Sequence, residues 1–207
     1  MELSEEQLER LQRQFQFIRE IDREKEIMRQ TPLADNSRKE DDAEHAWHMA
    51  VMTLLLAEYS NEKIDVLHTV SMLLIHDLIE IYAGDTYAYD EEGRKTQKAR
   101  ETMAADRLYA LLPEDQRDEL RALWEEFEAE ETPEARFART MDNIQPLVLN
   151  DASGGTSWIE HGVHLDQVLG RNRNTARGSE VLWQYAQDHF IAPALASGAL
   201  QPPRQDT

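Results

Sequence analysis

The chain has 207 residues, 41 of them acidic against 22 lysines and arginines, giving a net charge of −19, and it contains no cysteine. That length suits one domain with a sizeable core, while the missing cysteines exclude a disulfide framework, thiolate metal ligands and a cysteine nucleophile. The acidity repels DNA and RNA and argues against long nucleic acid as a partner; a small anion is still allowed, because distant charge is screened beyond about 8 Å.

The opening residues, MELSEEQLERLQRQF, are charged and helix-periodic, without the basic start and apolar stretch of a signal peptide. The expectation is a cytoplasmic chain. Apolar runs such as SMLLI are far shorter than the ~20 residues that span a bilayer, so no membrane association is expected. Glycines and prolines are few (8 and 7) and apolar residues recur three and four apart, which predicts an all-α fold without strands.

Residues 4–29 carry Leu8, Leu11, Phe15, Ile18 and Ile21 at helical spacing, stopped by Thr31-Pro32, and the polar loop LADNSRKEDD follows. From about Asp42, AEHAWHMAVMTLLLAEY predicts a largely apolar helix. Ile64 to Ala83 predicts its core partner, closed by Gly84. A loop at 85–93 leads to a helix over 94–112 ending at Pro113, then to an acidic amphipathic helix over 114–130. Thr132-Pro133-Glu134 reads as an N-cap with proline at N1, opening a helix through Met141, Asp142 and Ile144 that Pro146 kinks or ends. After a loop at Asp151 to Ser157, weaker helices are expected at about 158–170 and 176–196, with a frayed tail, SGALQPPRQDT. No repeat or linker interrupts the chain, so 1–207 reads as a single domain, its core at about 15–150 and the C-terminal helices packing on it.

His76-Asp77 stands inside the apolar run SMLLIHDLIEIYA, where an ionisable pair costs several kcal/mol unless each group has a partner. Alone, the dipeptide fits a helix cap or an arginine pair as well as a metal. His45, in AEHAWHMA, and Asp142, in FARTMDNIQPL, bring further ligand types from two other apolar helices. His₂Asp₂ suits one divalent metal ion (Mn, Co, Fe, Zn, Ni or Mg), and four protein ligands leave about two positions for water and a substrate oxygen on a six-coordinate ion. Glu80, three residues after Asp77 and four after His76, shares their helical face and is placed to orient or deprotonate water. Asp85, just past Gly84, can point across the same opening toward a leaving oxygen or a sugar hydroxyl. Arg38, in the loop before His45, is the candidate for binding a phosphate ester.

The order His45, His76-Asp77, Asp142 resembles the HD domain superfamily of metal-dependent phosphohydrolases, and AEHAWHMA, HDLIEIYAGDT and TPEARFARTMDNIQP look like segments of its 5′-deoxynucleotidase-like branch over residues 15–150. The resemblance implies a helical bundle, metal ligation by those four residues, catalytic or substrate roles for Glu80 and Asp85, and a homodimer. It also implies hydrolysis of (deoxy)nucleoside 5′-monophosphates, with phosphodiester or pyrophosphate hydrolysis, or a non-catalytic metal-stabilised module, as alternatives. The branch carries an Arg-Trp pair upstream of the first metal histidine; here the stretch reads MRQTPLADN, with Arg29 but no tryptophan, so preference for deoxyribose does not carry over.

His48 reads as a supporting or solvent-facing histidine, His161 and His164 as surface residues, and Lys95, Lys98 and Arg100 as a charged helix face. The four tryptophans are scattered as in packing rather than in base stacking, and no phosphate-binding glycine loop is present.

Overall fold

Ser4 accepts a hydrogen bond from the Gln7 amide while the Gln7 side chain caps Ser4 in return, and this capping box starts α1 (Glu5–Ile21). The computed structural model describes residues 3–90 and 92–204. The apolar stripe of α1 ends at Ile21, and so does the helix; a 3₁₀ turn (Asp22–Glu26) follows. The chain then forms strand β1 (Met28–Pro32), antiparallel to β2 (Lys39–Asp41), with Met28 opposite Asp41, Pro32 opposite Lys39 and an irregular register between them. The expected helix to residue 29 is therefore shorter, and a small hairpin replaces the expected strand-free loop. Residues 22–30 lack a helical stripe to bury, so the 3₁₀ turn and the pairing of 28–32 with 39–41 satisfy the backbone instead.

Asp41 caps α2 (Asp42–Leu56), and Glu44 completes a second capping box. Helix α3 (Val66–Ile75), capped by Asp65, was expected to run on to Ala83 but stops before His76. The His76 Nδ1–H donates to the Leu73 carbonyl at 2.9 Å, the acceptor that an unbroken helix gives to the Asp77 amide. The following turn tightens: the amides of Leu78 and Glu80 donate to the carbonyls of Ile75 and Asp77. Helix α4 (Glu80–Ala83) then ends at Gly84, whose φ of 73° is left-handed. Composition alone makes Val66–Ala83 apolar enough for a membrane span, but this break turns its buried polar residues toward the protein interior.

Helices α5 (Arg94–Tyr109), α6 (Glu114–Ala129) and α7 (Pro133–Ala152) follow the predicted order, α7 opening on the Thr132 cap with Pro133 in its first turn. Pro146 lies inside α7 without ending it. Position 91, in the expected 85–93 loop, and the tail residues 205–207 lie outside the described residues. The C-terminal part is divided more finely than expected, into α8 (Thr156–His161), α9 (Leu165–Arg171), α10 (Glu180–Ala186), a π-helical turn at Gln187–Ile191, and α11 (Ala192–Ser197). The segment up to 204 is anchored rather than frayed: Leu200 is fully buried, the Gln201 amide donates to the Val163 carbonyl, and the Gln201 carbonyl accepts from the Leu165 amide.

One apolar cluster joins Met49 of α2, Met72 and Leu73 of α3, Phe127 of α6 and Phe137, Met141 and Ile144 of α7 to Trp158, Val168, Ile191 and Leu200 of the C-terminal part. A second joins Phe17 of α1 to Leu78, Ile79, Ala105, Leu108, Tyr109 and Trp124. The break at His76 lies between the two, so the polar residues of 76–80 meet α2 and α7 at the seam.

Of the described glycines, Gly178 leaves the least room for a side chain, and what it approaches is α7. A Cβ there would stand 2.3 Å from the Arg136 carbonyl oxygen and 2.4 Å from Thr140 Oγ1, whereas one at Gly170 meets nothing within 4 Å. Gly178→Ala is expected to destabilise the fold by about 1–3 kcal/mol through overpacking, and Gly170→Ala to be neutral or slightly stabilising; thermal melts of both variants check the contrast.

Candidate metal centre

The capping box at Asp41 and Glu44 places His45 in the first turn of α2, fully buried. Its Nδ1 lies 2.8 Å from Gln145 Oε1, an oxygen that can only accept, so Nδ1 carries the hydrogen and Nε2 presents its lone pair inward. Gln145 is held in turn, its amide nitrogen lying 2.7 Å from Glu40 Oε1 and 3.1 Å from His48 Nδ1. Across the seam, the helix break makes the same tautomer choice for His76, whose Nδ1–H is taken by Leu73 and whose buried Nε2 has no hydrogen-bond partner.

From α7, Asp142 Oδ1 comes within 3.3 Å of His45 Nε2 and 4.0 Å of His76 Nε2. Ligand atoms of His45, His76 and Asp142 all lie within 4.8 Å of one another, and all three residues are buried. Asp77 sits beside this trio, with Oδ1 3.1 Å from His76 Nε2 and Oδ2 4.0 Å from His45 Nε2. An unpartnered imidazole nitrogen, a second aimed at the same space, and carboxylate oxygens on either side form a donor set that fits a divalent cation.

Both aspartates are tied by arginine on their Oδ2 oxygens. Asp77 Oδ2 accepts from Arg29 Nη1 at 3.1 Å, and Arg29 Nη1 is also 3.1 Å from Asp42 Oδ1. Asp142 Oδ2 accepts from Arg139 Nη1 and Arg171 Nη2, each at 3.0 Å. Burial alone would raise both carboxyls. The charge of His76 and then Arg29 holds Asp77 below its usual range, and Arg171, His45 and Arg139 hold Asp142 well below it. Burial, with the Arg29 charge, lowers His45 to about 4. His76 is also subject to the lowering effect of burial, but the charges of Asp77 and Asp142 outweigh it and hold the imidazole up at about 9. The cluster thus draws in positive charge, first as a proton on His76.

Glu80 and Asp85 lie at the edge of this cluster. Burial, then the charges of Asp77, Asp42 and Asp85, push the Glu80 carboxyl well above its usual range, and Glu80 Oε2 is buried without a partner. Burial is also the leading cause that raises Asp85. Asp85 lines a cavity of about 430 Å³ together with Met28, Gln30, Tyr87 and Arg100. Arg100 pins the turn that carries Asp85, donating to the Ala83 carbonyl and to Thr86 Oγ1.

Arg38 is not brought to the cluster. It is exposed and forks onto Glu44, the capping residue of α2. The hairpin instead turns Arg29 inward, leaving its side chain 14% exposed. His48 supports Gln145, His161 lies tilted against the Tyr87 ring at the surface, and His164 Nδ1 contacts the Pro202 carbonyl. Gln145, Arg139, Arg171 and the buried acids Glu24, Glu40 and Asp42 were not singled out as site residues from the sequence. For Gln145 and Arg139 a signal existed, since each is polar within one helical turn of Asp142.

The HD domain family model matches residues 21–183. The chain belongs to the HD domain family. A crystal structure of a predicted metal-dependent phosphohydrolase from Magnetospirillum magnetotacticum is 46% identical with a TM-score of 0.89, covering 94% of this chain and 97% of that one. 5′-Deoxynucleotidase HDDC2 of Bos taurus is 33% identical over 134 residues, 64% of each chain. The human protein of that name is 31% identical over the same share. This HD domain chain therefore aligns with somewhat under two thirds of the length of those two relatives. A 5′-deoxynucleotidase of Shewanella oneidensis is 25% identical over 160 residues, 72% of this chain and 82% of its own.

Glu24, on the 3₁₀ turn, is 8% exposed with Oε1 unpartnered, and burial, then the charges of Asp77 and Asp42, raise it to about 8. Between the ordinary glutamate pKa of about 4.5 and that value the folded chain holds a proton that the unfolded chain has lost, so this group's contribution to stability falls as pH rises through that window. In metal-free protein, Glu24→Gln is expected to raise the melting temperature at pH 8, with a gain that shrinks as pH falls toward 5. Melting curves across that range test it.

Proposed function

We propose that this HD domain protein is a metal-dependent phosphohydrolase that releases phosphate from nucleoside 5′-monophosphates, with His45, His76, Asp77 and Asp142 as ligands to one divalent ion. The observation that carries the reading is the meeting of His45, His76 and Asp142, with Asp77 beside them, next to the buried Glu80 carboxyl and the buried Arg29. The names of its relatives support the same reading.

A divalent ion in this donor set supplies Lewis acidity, polarising a phosphoryl oxygen and lowering the pKa of a water. Arg29, held charged by Asp77 and Asp42 against its burial, offsets negative charge that develops on the phosphoryl oxygens. The oxygen of the attacking water bonds to phosphorus as the phosphorus–oxygen bond to the sugar breaks in line. With the charge of Asp77 offset by a bound ion, Glu80 would be free to take the water's proton, and Asp85 gives its own proton to the departing sugar oxygen. The cavity beside Asp85, with Gln30 in its wall, takes the nucleoside. A polar wall of this kind admits ribose as well as deoxyribose.

The reading extends to the whole chain and its setting. The 207 residues act as one domain, supported by the cluster that joins α2, α3 and α7 to the C-terminal helices, and the protein works in the cytoplasm, where nucleoside monophosphates are made and used. Two copies pair across the apolar groove between α1 and α3, where Leu11, Phe15, Ile18 and Leu74 are exposed.

Metal-loaded protein is expected to release inorganic phosphate from deoxyribo- and ribonucleoside monophosphates in a panel run with Mn, Co, Mg and Zn; no release from any member would refute the activity. Glu80→Gln should lower kcat by about 10²–10⁴-fold while metal content, read by elemental analysis, is unchanged. Phe15→Glu should shift the light-scattering mass from dimer to monomer.

A further inference from the structure

Asp142 is the one acid of the cluster that takes two guanidinium groups on a single oxygen, and the two are not equivalent. Arg139 comes from the preceding turn of α7 and is fully engaged: beyond Asp142 it pairs with Glu128 and Glu130, each at 3.0 Å, and its guanidinium lies 4.1 Å over the Phe127 ring. Arg171 ends α9, far along the chain from the segments that carry the four ligand residues. Its side chain is 32% exposed, and Asp142 is its one ion-pair partner among the described residues. That contact uses one terminal nitrogen of a group with five N–H donors, so most of the fork is left for a ligand. Its charge also acts on Asp85 and Tyr89, which puts it on the side of the cluster where Asp85 stands.

Arg29 cannot hold a phosphoryl group alone with ease. Its Nη1 is shared between Asp42 and Asp77, and its Nε faces Glu40 Oε2 at 3.9 Å. A phosphomonoester dianion has three non-bridging oxygens, and planar forks with free donors are what such a group binds best. We propose that Arg171 is a second substrate-binding residue, its free guanidinium N–H groups holding the phosphoryl oxygens on the side opposite Arg29, so that α9 completes the anion site. This rests on the phosphohydrolase reading above and adds to it the residue that receives the phosphate.

The test uses the full chain loaded with Mn²⁺ and two probes in calorimetry, Mn²⁺ alone and inorganic phosphate. For Arg171→Met the expected result is a Kd for Mn²⁺ within about threefold of wild type and a Kd for phosphate raised about tenfold or more, the worth of one charge-assisted hydrogen bond. KM for a nucleoside monophosphate should rise by a similar factor, with a smaller change in kcat. Arg171→Lys, which keeps the charge and loses the fork, should fall between the two and serves alone if the methionine variant does not fold. Unchanged phosphate affinity, or a phosphate loss no larger than an accompanying loss of Mn²⁺ affinity, would confine Arg171 to holding Asp142; either overturns the proposal. Failure of the phosphohydrolase reading looks different: wild-type protein would bind phosphate yet release none from any ester.

Discussion

Too many acids are buried together around two imidazoles, and the rest of the structure answers that excess of negative charge. Glu24, Glu40, Asp42 and Glu80 are each less than a tenth exposed, and Asp77 and Asp142 stand within about 4 Å of the histidine nitrogens. Isolated carboxylates in such a place would take up protons or leave the interior. Two kinds of compensation operate. Arg29, Arg139 and Arg171 hold the Oδ2 oxygens of Asp77 and Asp142, and Glu24, Glu40 and Asp42 rise toward neutrality. The inner face, where His45, His76 and Asp142 meet, is left for a cation.

The helix break at His76 is part of the same solution. In a continuous helix His76 and Asp77 would point about 100° apart, and only one could face α2 and α7. Giving the Leu73 carbonyl to the imidazole and tightening the next turn brings both side chains to the seam and swings Glu80 in behind them. Local backbone geometry, tautomer choice and metal-site geometry are therefore one event. Gln145 does the corresponding work for His45 from α7, so each imidazole is oriented by a partner on its other nitrogen.

The C-terminal helices belong to the core rather than decorating it. Trp158, Val168, Ile191 and Leu200 share one apolar cluster with Met49, Leu73 and Met141, and Arg171 reaches Asp142 from the end of α9. The helices that carry no motif thus fix the position of a residue that does.

Helix order, the N-cap at Thr132, the stop at Gly84 and the His45, His76-Asp77, Asp142 series were legible because each depends on neighbours within about a turn, or on an ionisable residue standing out in an apolar run. What the sequence could not order was choice among equivalents. Arg29 and Arg38 flank the same hairpin, and only the turn of β1 against β2 decides that Arg29 faces Asp77 while Arg38 lies on Glu44. Arg171, Gln145 and Glu24 reach the cluster across 29 to 100 or more residues of chain, or through burial that no local pattern encodes. Spacing along a helix fixes which residues share a face; which of them meet, and at what charge, is decided only when separate helices pack and water is removed from between them.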